Sequence, residues 1–274
     1  MEGHLAMGEF AADMPRDSNG WFLFPRDVEK RRGLFPDKVF EHPAKANLFL
    51  TEELVLYLSN EGDTVLDPFG GTGTTMVAAI WGRNVVVIDV EPQYCDLMNE
   101  AAEEWQQVKF RGSPLLGSIK VVQGDCRQVL PIPCNAVITS PPYSIALGGS
   151  TGLKDVGRSN VQGSLSAYSG ADASSLNMGR LNPFYFEQAM AKVYKGLADS
   201  LSPGGSLALI TKDFVRGGSR FMLSEGIIRQ ASRCGLKLQD WFKWKTPGTA
   251  QRKLMASKGS QVIEDEDILC FRKV

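Results

Sequence analysis

The chain has 274 residues, 43% of them hydrophobic and 22% charged, with a formal net charge of −1. That is enough for a full buried core, as one large domain or two small ones, and its near-neutral balance excludes binding a polyanion by bulk electrostatics. Five scattered cysteines, no Cys-x-x-Cys pair and only two histidines predict free thiols in a reducing cytoplasm and no metal site. The opening residues MEGHLAMGEFAADMPRD lack the basic head and apolar core of a signal peptide. No run reaches the length of a membrane span.

Residues 1–40 mix Pro, Gly and aromatics (Trp21, Phe22, Phe24) with a charged cluster from Arg26 to Arg32. They read as an arm packed on the surface, frayed at its start, ahead of a single domain over 41–274. Leu54, Val55 and Leu58 at helical spacing predict a helix over 52–59, broken by Asn60-Glu61-Gly62-Asp63. A short strand at 64–66 leads into a glycine turn, Phe69 to Gly73, and a helix over 74–81. Strands follow at 84–89, 119–123 and 135–139, with a helix opened by Pro92 and running to about Gln107. A long amphipathic helix over 183–201 is stopped by Ser202-Pro203-Gly204-Gly205. Then come a strand at 206–211, a helix at 221–234, a strand at 236–245 and a closing strand at 267–272. Apolar strands alternating with helices predict an α/β sandwich with a mostly parallel sheet covered on both faces. Residues 144–182 fit no element: they are rich in Gly and Ser, and Lys154, Arg158 and Arg180 make them basic. A loop of that length is functional or disordered. Its place beside the corner described next favours a mobile substrate loop.

Two stretches carry chemistry. In Asp67-Pro-Phe-Gly-Gly-Thr-Gly-Thr-Thr75, glycines between a strand and a helix let a ligand approach the backbone. A Walker loop would need a Gly-Lys-Ser/Thr ending, and a dinucleotide GxGxxG would need glycine at Met76. A third, competing reading is an S-adenosylmethionine site with Asp67 facing a cationic ammonium, and either Rossmann-like reading expects an acid at the end of the second strand. Asp89 ends the second strand where a ribose-binding carboxylate belongs, and Asp125 follows the third, placed for an adenine amino group. Any one of the three could be a solvated turn carboxylate; together they mark the strand edge where open α/β sheets bind ligands. The second stretch is Ala136-Val137-Ile138-Thr139, a core strand stopped by Ser140-Pro141-Pro142-Tyr143. Two prolines forbid further ladder bonding and make a stiff corner suited to holding something flat.

DPFGGTGTT, IDVEPQYC, VVQGDC and TSPPY in this order, with HPAKANLF upstream from His42 to Phe49, resemble the DNA amino-methyltransferases over roughly residues 40–245. The resemblance implies a Rossmann-like class I methyltransferase fold, a seven-stranded mostly parallel sheet with an antiparallel last strand. It implies S-adenosylmethionine held by Lys45, Asp67, Pro68, Phe69, Gly70, Gly71, Gly73, Thr74, Asp89, Asp125 and Ser140. It also implies catalysis at Ser140, Pro141, Pro142 and Tyr143. The Ser140 side chain and Pro141 carbonyl would accept hydrogen bonds from the target amine, and Tyr143 would stack on a flipped-out base. Neither a metal nor a covalent nucleophile is required. The Pro133-Cys134 pair resembles that of the cytosine C5 enzymes, but it precedes the strand, at the end opposite the corner, and reads as a structural cysteine. In this family the serine variant of the corner goes mainly with cytosine N4 transfer and the aspartate variant with adenine N6. The expectation is therefore N4-methylcytosine in double-stranded DNA, by a monomer or homodimer. Adenine N6 transfer, an RNA guanine N2-methyltransferase and a catalytically silent cofactor-binding clamp are the alternatives. Two departures stand out: no large target-recognition region is evident, and Ala46 stands where relatives often have proline.

Residues 242–259 carry Lys243, Lys245, Arg252, Lys253 and Lys258 with no acid, and Trp241 and Trp244 interleave. Lys212, Arg216 and Arg220 are expected at the same sheet edge. These supply local charge for phosphate contacts; the competing reading is a solvated face over core tryptophans. The acidic run Glu264 to Asp267 is expected to face away or to form a turn.

Overall fold

Strand order places the ligand edge. In the computed structural model, which describes residues 9–42, 45–108, 117–142, 175–216, 218–248 and 250–274, one sheet has seven strands. They are β1 (Thr64–Asp67), β2 (Asn84–Asp89), β3 (Ile119–Gln123), β4 (Cys134–Thr139), β5 (Leu201–Thr211), β8 (Leu236–Lys245) and β9 (Asp265–Lys273), in the order β3-β2-β1-β4-β5-β9-β8. β6 (Phe214–Arg216) and β7 (Ser219–Phe221) form a separate antiparallel hairpin. The first five strands are parallel, and β9 inserts antiparallel between β5 and β8. The chain steps outward from β1 to β3, then returns to β4 on the other side of β1. That reversal opens a crevice beyond the carboxyl ends of β1 and β4.

Alternation along the strands fills two cores. Ala136, Ile138, Ala208 and Ile210 pack with α2 (Leu48–Leu58), the 3₁₀ turn at Thr74–Trp81 and α3 (Pro92–Gln107). Val137, Leu207 and Leu209 pack with α5 (Pro183–Ser200) and α6 (Leu223–Arg233) on the opposite face. Shorter helices are α1 (Val28–Arg32), α4 (Cys126–Val129) and α7 (Ala250–Ser257).

Several boundaries move for local reasons. α2 starts at Leu48, four residues before its apolar spacing becomes regular, because the Asn47 side chain accepts from the N–H groups of Phe49 (2.9 Å) and Leu50 (3.1 Å). β5 does not wait for the Ser-Pro-Gly-Gly turn to end: Leu201 already pairs with Cys134, and a register shift absorbs the extra residues. The amino-terminal arm goes deeper than a surface packing. Phe10, Phe22, Phe24 and Phe35 are all buried in the core. Phe22 donates its N–H to the Lys243 carbonyl and accepts from the Lys245 N–H, both at 2.9 Å, so the arm covers the exposed edge of β8.

Candidate active site

The ends of β1, β2, β4, β5 and β9 converge on a cleft of about 550 Å³, the size range of small-molecule sites. Asp67 ends β1 fully inside it. Its Oδ1 accepts from Thr139 Oγ1 (2.6 Å) and the Phe69 N–H (3.0 Å), and its Oδ2 accepts from Thr75 Oγ1 (2.6 Å). Burial pushes its pKa up, and these three donors oppose the rise. Asp67 therefore ties the tip of β1 to the tip of β4, one residue before Ser140.

The glycine turn runs along the cleft. Gly71 adopts φ +51°, donates its N–H to Asp89 Oδ2 (2.7 Å), and leaves open space where a Cβ would stand, with nothing nearer than 4.0 Å. Gly73 is glycine for another reason: at φ +81° a Cβ would meet Met76 Sδ at 2.6 Å and Met98 Cγ at 2.9 Å. It supports the turn from behind and, alone among the expected cofactor residues, does not line the cleft. Asp89 Oδ1 accepts from the Glu91 N–H (2.9 Å). Burial raises its pKa to about 6, with Glu91 and Asp67 adding negative charge nearby.

Asp125 also lines the cleft, but its carboxylate is taken by the Arg127 side chain (2.6 Å) and caps α4 through the Arg127 N–H (2.9 Å). Burial pushes its pKa up, yet the Arg127 hydrogen bonds and charge outweigh it and hold the group low. Lys45 donates to the His42 carbonyl, and burial, aided by Arg31, lowers its pKa. Arg31 itself is buried and holds this region together. It bonds Asp27 (2.6 Å), the Ala46 carbonyl (2.7 Å) and Thr74 Oγ1 (3.0 Å).

The corner begins where expected. β4 ends at Thr139, Pro141 is buried, and Ser140, Pro141 and Pro142 all line the cleft. Tyr143 lies outside the described residues, as do Lys154, Arg158 and most of the expected 144–182 loop. Cys134 opens β4 at its far end, buried and with its thiol pushed up to about 12, as a structural cysteine should be.

Residues that composition alone did not single out complete the walls. Glu91 accepts from Asn177 Nδ2 (2.8 Å), joining the β2–α3 turn to the chain near Met178. His42 packs edge-on against Tyr94, with ring centroids 4.8 Å apart. The HPAKANLF and IDVEPQYC stretches contained His42, Glu91 and Tyr94, but nothing in their spacing marked the side chains as neighbours, and Asn177 fell in the stretch that fits no element.

The expected phosphate-binding residues divide. Arg180 sits exposed on a 3₁₀ turn, Lys253 is exposed on α7, and Arg216 lies in β6. Lys243 instead pairs with Asp265 and Asp267 (2.6 Å each), Arg220 with Asp213 and Asp265 (2.6 Å each), and Lys245 with Asp17 (3.3 Å). The acidic run does not turn away: Asp265 to Asp267 lie in β9 directly opposite Lys243 to Lys245. Lys212 and Arg252 are drawn into the cleft wall. Arg252 bonds Thr246 Oγ1 (2.7 Å) and the Pro247 carbonyl (2.9 Å). Among the described residues no cluster of three or more His, Cys, Asp or Glu could hold a metal, and no helix is long and apolar enough to cross a membrane.

A family model described as DNA methylase (N6_N4_Mtase) matches residues 15–100. The orphan methyltransferase M.BamHII of Bacillus amyloliquefaciens is 42% identical over 71 residues, 25% of this chain and 27% of that protein. Type II methyltransferase M.BglI of Bacillus subtilis is 47% identical over 64 residues, 23% and 18%. DNA adenine methyltransferase YhdJ of Escherichia coli (strain K12) is 34% identical over 84 residues, 27% and 29%. The chain thus spans less than a third of the length of each of these relatives. Among solved structures, TrmN from Thermus thermophilus aligns with a TM-score of 0.51 at 17% identity, over 85% of this chain and 50% of that one. The sheet order and this likeness establish a Rossmann-like fold of the methyltransferase type, and the sequence similarity is to DNA methyltransferases.

Proposed function

We propose that this protein transfers a methyl group from S-adenosylmethionine to the exocyclic amine of a base flipped out of double-stranded DNA, with N4 of cytosine as the target. The observation that carries this reading is the junction at Asp67: one buried carboxylate joins the glycine-turn strand to the Ser140-Pro141-Pro142 corner inside a single cleft.

The residues present fit the cofactor. The space beside Gly71 admits a ligand against the backbone, and Asp89 offers carboxylate oxygens at the strand tip for ribose hydroxyls. Phe69 and Tyr94 line the same cleft as apolar walls. When bound, S-adenosylmethionine supplies an electrophilic methyl group. The protein's own task is to aim the amine. That nitrogen's lone pair is delocalised into the base ring, so acceptors at Ser140 and the Pro141 carbonyl would orient its hydrogens and turn the lone pair out of the ring. Two successive prolines keep the corner stiff and present no N–H groups to compete for those acceptors. Tyr143 would stack on the extruded ring, which helps offset the cost of unpairing. The basic residues Arg180, Lys253, Lys154, Arg158 and Arg216 are assigned to the phosphate backbone.

A second reading, adenine N6 transfer, is favoured by the name of one relative, a DNA adenine methyltransferase. The chemistry at the corner is the same for both. Methyl transfer from labelled cofactor to duplex DNA by the wild type and by Ser140→Ala tests the role of the corner. Loss of an acceptor that orients the reacting group is expected to cost 100-fold or more in rate, with cofactor affinity, read by calorimetry, within a few-fold of wild type. Full activity in Ser140→Ala, or loss of cofactor binding, contradicts the assignment.

A further inference from the structure

Sequence reading sent Lys212 to the phosphate backbone; the structure puts it inside the cleft beside the corner. Thr139, just before Ser140, pairs with Leu209 in β5, and Thr211, just before Lys212, pairs with Asp267 in β9. Glu266 in turn lies opposite Trp244 in β8. Lys212, Glu266 and Trp244 therefore form one row across β5, β9 and β8. Ser140, which follows Thr139 and falls beside Ile210, stands two positions lower at the end of the neighbouring strand β4, on the same face. By alternation they sit on the face that carries Ile138, Ile210 and Ile268 below them. All four line the cleft. Glu266 is fixed from two sides: Lys212 Nζ lies 3.5 Å from Oε1, and Trp244 Nε1 donates to Oε2 at 3.2 Å.

We propose that Lys212 is a specificity-determining residue whose ammonium, positioned by Glu266, donates a hydrogen bond to the ring nitrogen beside the target amine, N3 of cytosine or N1 of adenine. This rests on the methyl-transfer reading above. Those nitrogens are acceptors in cytosine and adenine, whereas N3 of thymine and N1 of guanine carry hydrogen. A partly buried cation there admits the first pair and rejects the second, because a donor facing a donor leaves both without a partner. Glu266 is a positioning residue acting through Lys212. Burial lowers the lysine's pKa and Glu266 opposes that shift; Asp265 on β9 also favours the charged form, and Arg252 on α7 disfavours it.

The test uses duplex DNA carrying the mapped target position, either with its natural base or with that ring nitrogen replaced by CH (3-deazacytosine, or 1-deazaadenine for an adenine target). For the wild type the replacement is expected to lower kcat/KM about 10- to 100-fold, the size of a charge-assisted hydrogen bond. Lys212→Met should use both duplexes at that same low level, and Lys212→Arg should still discriminate. Glu266→Gln should move the alkaline limb of the pH profile of kcat/KM to lower pH, since the lysine loses the carboxylate that keeps it charged. The deaza comparison on the wild type needs no variant, so misfolding of Lys212→Met cannot hide the answer. A wild type indifferent to the replacement, or a Lys212→Met that discriminates like the wild type, overturns the proposal and leaves methyl transfer standing. A wild type that modifies no DNA overturns both.

Discussion

Asp89 carries a titration that separates binding from folding. Its carboxylate sits at the β2 tip with burial raising its pKa to about 6. A carboxylate is the better acceptor for ribose hydroxyls, so cofactor affinity should fall as pH drops through 6 and the group protonates. The fall should approach tenfold per pH unit well below that value. Asp89→Asn, neutral throughout, should bind weakly at every pH and flatten the profile; an unchanged profile in that variant would show that another group is titrating. For stability the sign is the reverse of the usual carboxylate case: a raised folded pKa means the folded state holds its proton more tightly. This group therefore favours the folded state most below pH 4 and loses that contribution as pH rises to about 6. At the residue scale the carboxylates were legible because glycines and strand ends flank them in the sequence. Lys212 was not: its neighbour Glu266 comes from a strand more than fifty residues later, and only the β5–β9 register brings them together. The β8–β9 register likewise hid the pairing of Lys243 with Asp265 and Asp267, which made residues 242–259 look like an uncompensated basic stretch.

Among the elements, the amino-terminal arm departs most from its sequence reading. Proline, glycine and charge gave it the look of a surface strap, since no period of 2 or 3.6 links its aromatics. In the structure those aromatics are what anchor it. Phe22 packs against Phe10 (5.2 Å between ring centroids) and Phe242 (5.9 Å), while its backbone adds a rung to β8. Phe22→Ala should therefore cost about 3–5 kcal/mol in a denaturant titration; a loss below about 1 kcal/mol would mean that the arm contributes little to the core. The arm also matters to the cleft, because Phe24 packs edge-on against Trp244 at 6.3 Å. The parallel strands and their helices, by contrast, were readable almost residue by residue. Each is short, apolar and closed by a turn, and the deviations at α2 and β5 come from a side-chain cap and a bulge, which leave little trace in hydrophobic spacing.

For the whole molecule, a single crevice at the strand reversal collects the glycine turn, three buried or half-buried aspartates, the Ser-Pro-Pro corner and the Lys212–Glu266 pair. Its existence could be expected from strand order alone; its width and far wall, built by β9, β8 and α7, could not. The choice between cytosine and adenine is not set by that architecture, because both bases present an amine beside an acceptor nitrogen. The most direct measurement is nucleoside mass spectrometry on unmethylated genomic DNA incubated with the purified protein and S-adenosylmethionine. N4-methylcytosine is the expected product. N6-methyladenine would keep the transfer chemistry but contradict the cytosine assignment, and the absence of either methylated base from DNA would contradict the proposed function.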